Sequence, residues 1–274
     1  MKLSLSVRVS EKFSNKREVA IPFEELAAIA SASGWGALCT RPSVIGVQHG
    51  PERSREIREI LDRHGLVASM ATTDFSVPEN TDQGPDCLRK ITPHLDLAEA
   101  LGADLIRVCM KSEEDIPHAA SASDEAAERN IRLAHQSHMQ SIFETVEGTL
   151  DVLRKIDRPN FGLIYEPSNL ALCGESYGPD TLKAFAPYLF NVYLQNHVPE
   201  EDGPVPMTTW ARGVVPSRLY PLDSGKGIRF EEVFEGLAAV DYNGWITLHH
   251  AFDGDLSPAR AARRSVEFLR SFEA

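Results

Sequence analysis

Short apolar runs with the composition of buried β-strands alternate with longer segments of helical periodicity along the whole chain. The run at residues 3–9 alternates apolar and polar side chains, which is the period of a strand. The segment at residues 22–30 then has a proline at its start, acidic residues in its first turn and apolar residues at helical spacing. Gly34 follows it as a helix-ending residue.

This pair of elements is repeated eight times in 274 residues. Strands are predicted at residues 3–9, 36–40, 66–70, 105–109, 131–136, 161–166, 191–195 and 245–249. Helices are predicted at residues 22–30, 51–64, 87–101, 124–130, 143–156, 181–188, 230–240 and 258–272. The pattern predicts an α/β fold, namely a (β/α)8 TIM barrel with residues 1–274 as a single domain.

Two alternatives to this arrangement stay open at the level of sequence. A doubly wound sheet is disfavoured because the chain lacks the Gly-x-Gly-x-x-Gly turn that binds phosphate in such folds. One long helix over residues 124–156 competes with the fifth strand, because the flanks of that strand are charged and helix-forming.

Composition restricts the partners and the compartment. The net charge of -12 repels phosphate backbones, so no nucleic-acid partner is expected. The four cysteines show no Cys-x-x-Cys spacing, which indicates reduced thiols. The chain shows neither a signal peptide nor an apolar run long enough for a bilayer, so a cytoplasmic protein without a membrane partner is expected. A homo-oligomer remains open.

Polar side chains end the last four predicted strands. In a barrel these ends meet at one mouth, and alternation along each strand directs Gln136, Glu166, Gln195 and His249 inward. One carboxylate, one imidazole and two amides can hold a divalent cation such as Mn, Mg, Fe, Co, Ni or Zn. The alternative interpretation is a hydrogen-bonded polar cluster without a metal.

An insertion at residues 198–227, rich in Pro and Gly, separates the seventh strand from its helix. A loop of this length inside a compact domain usually has a function. Its aromatic and cationic side chains suit stacking on a sugar ring and bidentate bonds to oxygens. The candidate substrate-binding residues are Trp210, Arg212, Arg218 and Lys226, and surface charge is the alternative.

Five short motifs in order resemble the xylose isomerase-like TIM-barrel superfamily of sugar isomerases and epimerases. They are LAHQSH at residues 133–138, NFGLIYEPSN at 160–169, VYLQN at 192–196, GKGIRFE at 225–231 and GWITLH at 244–249. The resemblance implies a divalent metal held by Gln136, Glu166, Gln195 and His249, with Tyr193 as the stricter match at the third position. His197 is a further candidate for the site residue of the seventh strand.

The chain departs from the family pattern where Gln136 and His249 replace two glutamates that shuttle the proton in the epimerases. Gln136 stays a candidate catalytic residue by position, although an amide cannot accept a proton. A histidine is therefore expected to remove the proton, because its reference pKa is about 6.5. His138 is the first candidate, followed by His197 and His250.

The resemblance implies a metal-dependent isomerase or epimerase acting on a small ketose, keto-acid or keto-glycoside. A lyase on the same site, by β-elimination or by cleavage of a 3-keto-glycoside or C-glycoside, is the alternative. A barrel without catalytic activity that serves as a binding subunit is a hypothesis of another class. The abasic-site endonuclease branch is disfavoured by the net charge of -12.

Overall fold

The fold has eight parallel barrel strands, and three further strands lie between the seventh and the eighth of them in the chain. The computed structural model describes residues 1–12, 15–74, 77, 81–250 and 256–273. Its strands in chain order are β1 (Lys2–Ser6), β2 (Ala37–Thr40), β3 (Val67–Thr72), β4 (Leu105–Val108), β5 (Arg132–Gln136), β6 (Phe161–Tyr165), β7 (Leu189–Leu194), β8 (His197–Pro199), β9 (Val205–Thr209), β10 (Gly213–Leu219) and β11 (Trp245–Leu248). The barrel closes in the order β1-β11-β7-β6-β5-β4-β3-β2. The predicted single-domain TIM barrel is confirmed.

Helices follow the barrel strands and pack on the outside of the ring. They are α1 (Phe23–Ser33), α2 (Pro51–Arg63), α3 (Asp86–Arg89), α4 (Thr92–Leu101), α5 (Ile116–Glu128), α6 (Val146–Ile156), α7 (Pro167–Cys173), α8 (Pro179–Phe185), α9 (Phe230–Ala239) and α10 (Pro258–Arg270). Short 3-10 helices cover Val7–Ser10, Glu113–Asp115 and Ala186–Tyr188. Within the described residues, no helix is long and apolar enough to cross a bilayer.

Several predicted boundaries are corrected, each for a local reason. The first strand ends at Ser6 instead of residue 9, because the Ser6 hydroxyl accepts the N–H of Arg8 and the chain turns into a 3-10 helix. The predicted helix at residues 87–101 is two helices, α3 and α4. Pro93 lies in the first turn of α4, the part of a helix that tolerates a residue without an N–H.

The alternative of one long helix over residues 124–156 is wrong. Helix α5 ends at Glu128, and Asn130 adopts a left-handed φ of 56°. Strand β5 then pairs in parallel with β4 on one side and β6 on the other. Both faces of β5 are buried, so packing of Leu133 and Ala134 outweighs the helix preference of the flanks.

The side-chain alternation predicted for the barrel is confirmed. The interior of the ring is filled by Cys39, Met70, Leu105, Ala134, Ile164 and Tyr193. The opposite faces of the same strands pack against the helices through Leu133, Leu163, Tyr165, Val192, Leu194, Ile246 and Leu248. This alternation directs the polar residues at the strand ends toward the mouth of the barrel.

The insertion at residues 198–227 contains regular structure, which corrects its prediction as a loop. Strands β8, β10 and β9 form an antiparallel sheet in that order. Gly213, with a φ of +70°, supplies the left-handed residue where β10 begins after the tight turn from β9. The Pro and Gly content that predicted a loop therefore belongs to a β-hairpin and its connections.

Candidate active site

A cavity of about 370 Å³ lies between the carboxyl ends of the barrel strands and the β9–β10 hairpin. Its polar lining includes three histidines, four side-chain amides and two cations: His138, His197, His249, Gln136, Gln140, Asn169, Gln195, Arg8 and Lys16. Apolar and small side chains of the hairpin, including Met207 and Leu219, cover the opposite side. The volume suits a small oxygenated molecule.

Glu166 lies fully buried at the end of β6, below the cavity. The side-chain amide of Gln136 donates to Oε2 of Glu166, and that of Gln195 donates to Oε1. Asn169 Nδ2 also donates to Oε2, at 2.9 Å. Asn169 reaches the carboxylate because it lies three residues after Glu166, on the same face of the first turn of α7. Residues from three neighbouring strands therefore meet at one carboxylate.

Burial raises the pKa of Glu166 to about 8, against the opposing effects of the Arg107 charge and the hydrogen bond from Gln195. Arg107 lies inside the barrel, with its guanidinium 6.0 Å from the centre of the Tyr193 ring. A carboxyl group with a pKa near neutrality below a cavity is a common property of functional sites.

His138 lines the cavity just beyond the end of β5. Its Nδ1 lies 2.7 Å from the carbonyl oxygen of Met139. A carbonyl oxygen only accepts hydrogen bonds, so Nδ1 carries the proton and Nε2 carries the lone pair. Burial, followed by the Arg107 charge, lowers the pKa of His138 to about 3. The ring is therefore neutral at pH 7, the protonation state that a general base requires.

His197 is tied to the insertion instead. Its Nε2 lies 2.7 Å from the hydroxyl of Ser217, which in turn donates to the carbonyl of Val205 at 2.6 Å. Because the single hydroxyl proton of Ser217 is used, Nε2 of His197 must be the donor and Nδ1 carries the lone pair. Burial, followed by the His250 charge, lowers the pKa of His197 to about 4. His250 lies near His197, and its Nδ1 accepts the backbone N–H of Asn196 at 3.4 Å.

His249 lies half-buried at the cavity, after the end of β11. Its ring stacks on Tyr193 with centroids 4.2 Å apart, and its Nδ1 lies 3.1 Å from the Ser6 hydroxyl. Burial lowers the pKa of His249 well below its usual value, and nearby arginines and Lys16 lower it further. Tyr193 itself faces the barrel interior, where its hydroxyl lies 3.2 Å from Cys39 Sγ. Of the candidates on β7, Gln195 is the one that contacts Glu166.

The four residues predicted to bind substrate from the insertion lie outside the cavity lining in the part of the chain that the structure describes. Trp210 is 55% exposed at the hairpin tip. Arg212 donates to the carbonyl of Leu172, Arg218 forms an ion pair with Glu200, and Lys226 lies 5.8 Å from the Tyr220 ring centre. Alternation in β10 explains the position of Arg218, because its neighbours Ser217 and Leu219 face inward.

Several site residues were missed by the sequence reasoning. Arg8 and Lys16 line the cavity, although their sequence context is only that of a strand end and a charged loop. Glu144 fixes the insertion by accepting backbone N–H bonds from Trp210 and Ala211. Asn169 could have been found from the sequence, because it lies three residues after Glu166, which ends a predicted strand.

A family model described as a xylose isomerase-like TIM barrel matches residues 26–272. The chain belongs to the xylose isomerase-like TIM-barrel family. No curated protein sequence matches this member of the family significantly.

Solved structures share the fold of this xylose isomerase-like barrel at low sequence identity. The probable 3-DHS dehydratase AsbF of Bacillus anthracis is 16% identical, with 98% of each chain covered and a TM-score of 0.72. A D-psicose 3-epimerase from Clostridium cellulolyticum H10 is 13% identical, with 99% of each chain covered and a TM-score of 0.70. A xylose isomerase-like TIM barrel protein from Mycobacterium smegmatis in complex with magnesium is 15% identical, covering 100% of this chain and 98% of that one, with a TM-score of 0.69. At these identities the likeness establishes the fold.

The donors at the strand ends of this xylose isomerase-like barrel can be tested against the divalent cation that the family resemblance implies. Gln136 Oε1 and Asn169 Oδ1 are buried beside Glu166 and have no hydrogen-bond partner among the described residues. Carboxylate and amide oxygens are donor types that hard divalent cations accept. Within the same residues, no three His, Cys, Asp or Glu side chains are grouped around a common point, so amides must complete the set. On donor chemistry the residues fit such a cation, with Glu166 as its negative ligand.

Proposed function

We propose that this barrel is an enzyme of the sugar isomerase and epimerase type. Its substrate is a small ketose, keto-acid or keto-glycoside, and the reaction begins by removal of a proton from the carbon beside a carbonyl group. The observation that carries the proposal is the Glu166 carboxylate, surrounded by three side-chain amides directly below a cavity that three histidines line. A fully buried carboxylate at such a position is costly to the fold, which favours a functional role.

A divalent cation is part of the proposal, and Glu166, Gln136, Gln195 and His249 are the residues that would hold it. When bound, such a cation polarises a carbonyl or hydroxyl oxygen and so acidifies the neighbouring C–H bond. The unpartnered amide oxygen of Gln136 supports this assignment. The magnesium complex of a structural neighbour is consistent with it.

His138 is the base in this proposal. Its Nε2 lone pair belongs to a neutral ring that lines the cavity, while the Met139 carbonyl fixes the ring through Nδ1. The proton passes from the substrate carbon to Nε2, and its return to the adjacent carbon of the enediol yields an isomer. An epimer forms instead when water or a second acid protonates the original carbon on its opposite face. His197 has its Nε2 engaged by Ser217, so we assign it the positioning of the insertion over the cavity.

Elimination is the second candidate, because one structural neighbour is a probable dehydratase. Elimination begins with the same removal of a proton beside a carbonyl group. It differs only afterwards, when a hydroxyl or glycosyl group leaves the neighbouring carbon. The product, and not the site residues, separates the two reactions.

The test combines elemental analysis of protein purified without chelator with a panel of ketoses, keto-acids and keto-glycosides scored for isomerised and eliminated products. Glu166→Gln preserves the volume of the side chain, and we expect it to lose the metal and to lower kcat/KM by at least about 100-fold. His138→Gln is expected to lower kcat by about 100- to 10,000-fold while the metal is retained.

His118→Gln, a substitution on the outer helix α5, is the matched control and is expected to leave both measurements unchanged. Full turnover in the Glu166→Gln variant would exclude this carboxylate from the reaction. A purified protein without metal and without activity on the whole panel would favour the hypothesis of a barrel without catalytic activity.

A further inference from the structure

Four cationic side chains converge on the cavity. Arg8 and Lys16 line it, and Arg41 and Arg107 lie buried beside it. Arg107 lies 6.0 Å from the centre of the Tyr193 ring, on which His249 stacks, and Arg41 shares the Glu11 carboxylate with Arg8. This concentration of positive charge is unusual in a chain whose net charge is -12.

Glu11 is the carboxylate that pairs with Arg8 and Arg41. Glu11 lies between two of the arginines, with Oε1 2.8 Å from Arg41 Nε and Oε2 3.9 Å from Arg8 Nε. Arg8 and Arg41 therefore share this one carboxylate.

Guanidinium N–H groups in this cluster also lack acceptors. Arg8 Nη1, Arg41 Nη1 and Arg107 Nε are buried without a hydrogen-bond partner among the residues that the structure describes. A buried donor without an acceptor is costly, and more so on a charged group. Arg8 is the one of these three that lines the cavity, where a ligand can supply the missing acceptor.

We propose that the substrate carries an anionic group, a carboxylate or a phosphate, which Arg8 and Lys16 bind at the mouth of the cavity. The proposal deepens the function proposed above and rests on it in taking this cavity as the substrate site. Guanidinium and ammonium groups are the side chains that bind both anions in proteins.

The ring order of the strands gives the anion a defined place. In the order β1-β11-β7-β6-β5-β4-β3-β2, β1 and β5 lie opposite each other. Arg8 follows β1, whereas Gln136 and His138 lie at the end of β5 and just beyond it. A substrate that spans the cavity therefore places its anionic group against Arg8 and Lys16, and its reacting carbons toward His138 and Glu166.

The test measures binding by calorimetry to the full-length wild-type protein and to its variants. The probes are D-fructose, 2-keto-D-gluconate and D-fructose 1-phosphate, which differ only in a hydroxyl, a carboxylate or a phosphate at one end. We expect at least one anionic probe to bind about tenfold or more tightly than D-fructose, because a charge-assisted contact is worth about one to two powers of ten. The tighter anion identifies the group as carboxylate or phosphate.

Arg8→Gln and Lys16→Met are each expected to weaken binding of the preferred anion by about 10- to 100-fold more than they weaken binding of D-fructose. Arg158→Gln, on the outer surface, is the matched control, and circular dichroism verifies that each variant is folded. Equal binding of the three probes, or unchanged anion binding in both cavity variants, overturns the proposal. If anion binding is lost only in Arg218→Gln, the anion binds at the insertion and not at Arg8 and Lys16. That result also overturns the proposal.

This experiment separates the two proposals. The anion proposal predicts loss of binding affinity in the Arg8 and Lys16 variants without any turnover being measured. The proposed function instead predicts loss of kcat in the Glu166 and His138 variants. Anion binding without turnover of the substrate panel would leave the first standing and refute the second.

Discussion

Glu144 holds the insertion over the cavity, and its removal is expected to release the β9–β10 hairpin. The carboxylate is 5% exposed and lies between β5 and α6. Its Oε1 accepts the backbone N–H of Gln140 at 2.5 Å and of Trp210 at 2.7 Å, and its Oε2 accepts that of Ala211 at 2.8 Å. Trp210 and Ala211 lie in the turn between β9 and β10.

The size of the effect follows from these contacts. A hydrogen bond to a charged group contributes about 1.5–3 kcal/mol, and Glu144→Ala removes two such bonds to the hairpin. The turn is exposed, so water can replace part of what is lost. We therefore expect the free energy of hairpin opening to fall by about 2–4 kcal/mol, a change of about 30- to 1,000-fold in the opening equilibrium.

Amide hydrogen exchange over residues 205–219 is the measurement, and exchange should accelerate by that factor in the Glu144→Ala variant. Val205, Met207 and Leu219 line the cavity, so KM should rise as well. Glu147→Ala is the matched control, because Glu147 is an exposed carboxylate in the first turn of α6. Equal exchange rates in the two variants would refute the role of Glu144 as the anchor of the hairpin.

Three further predictions concern charge and packing. Glu11→Gln leaves Arg41 buried without its ion-pair partner, and we expect the free energy of unfolding in urea to fall by about 3–5 kcal/mol. Gly162→Ala would place a Cβ 2.5 Å from the Tyr188 carbonyl oxygen and 2.6 Å from the Phe190 ring, so thermal unfolding should show a loss of about 1–3 kcal/mol. Burial and the nearby arginines lower the pKa of Lys16 to about 8, so it is cationic below that pH and neutral above it. Malonate affinity measured by calorimetry should therefore be fully present near pH 6.5 and fall as the pH rises through 8.

Each of these has a contrary outcome. An unfolding free energy within about 1 kcal/mol of wild type in Glu11→Gln would mean that water solvates Arg41. An unchanged thermal midpoint in Gly162→Ala would mean that both the Tyr188 backbone and the Phe190 ring move aside. Malonate affinity that is flat between pH 6.5 and 9.5, or a slope that persists in Lys16→Met, would contradict the assignment to Lys16.

The sequence determined the fold to a large extent. Strand and helix periods, with proline and glycine at the boundaries, predicted eight β/α units, and alternation along β6 and β7 gave the correct inward faces. These features are local, because each depends on residues within one element. The boundaries that failed, at Ser6 and around Pro93, depended on a side-chain cap and on the place of a proline in a helix turn.

The same local logic placed Gln136, Glu166, Gln195 and His249 at one mouth, because a closed ring brings all strand ends together. In the insertion, Trp210, Arg212, Arg218 and Lys226 were chosen by residue type, and they lie outside the cavity lining among the described residues. Only the pairing of β10 with β8 and β9 decides which side chains of the hairpin face the cavity.

The tertiary structure alone decided the electrostatics of the site. Arg8, Arg41 and Arg107 come from three different strand ends, and nothing in their separate sequence contexts links them. The strength of a charge interaction depends on distance and burial in three dimensions, which chain separation does not encode. Periodicity thus determined the barrel and the direction of its polar residues, whereas closure of the barrel brought the buried carboxylate and the cationic side chains to one cavity.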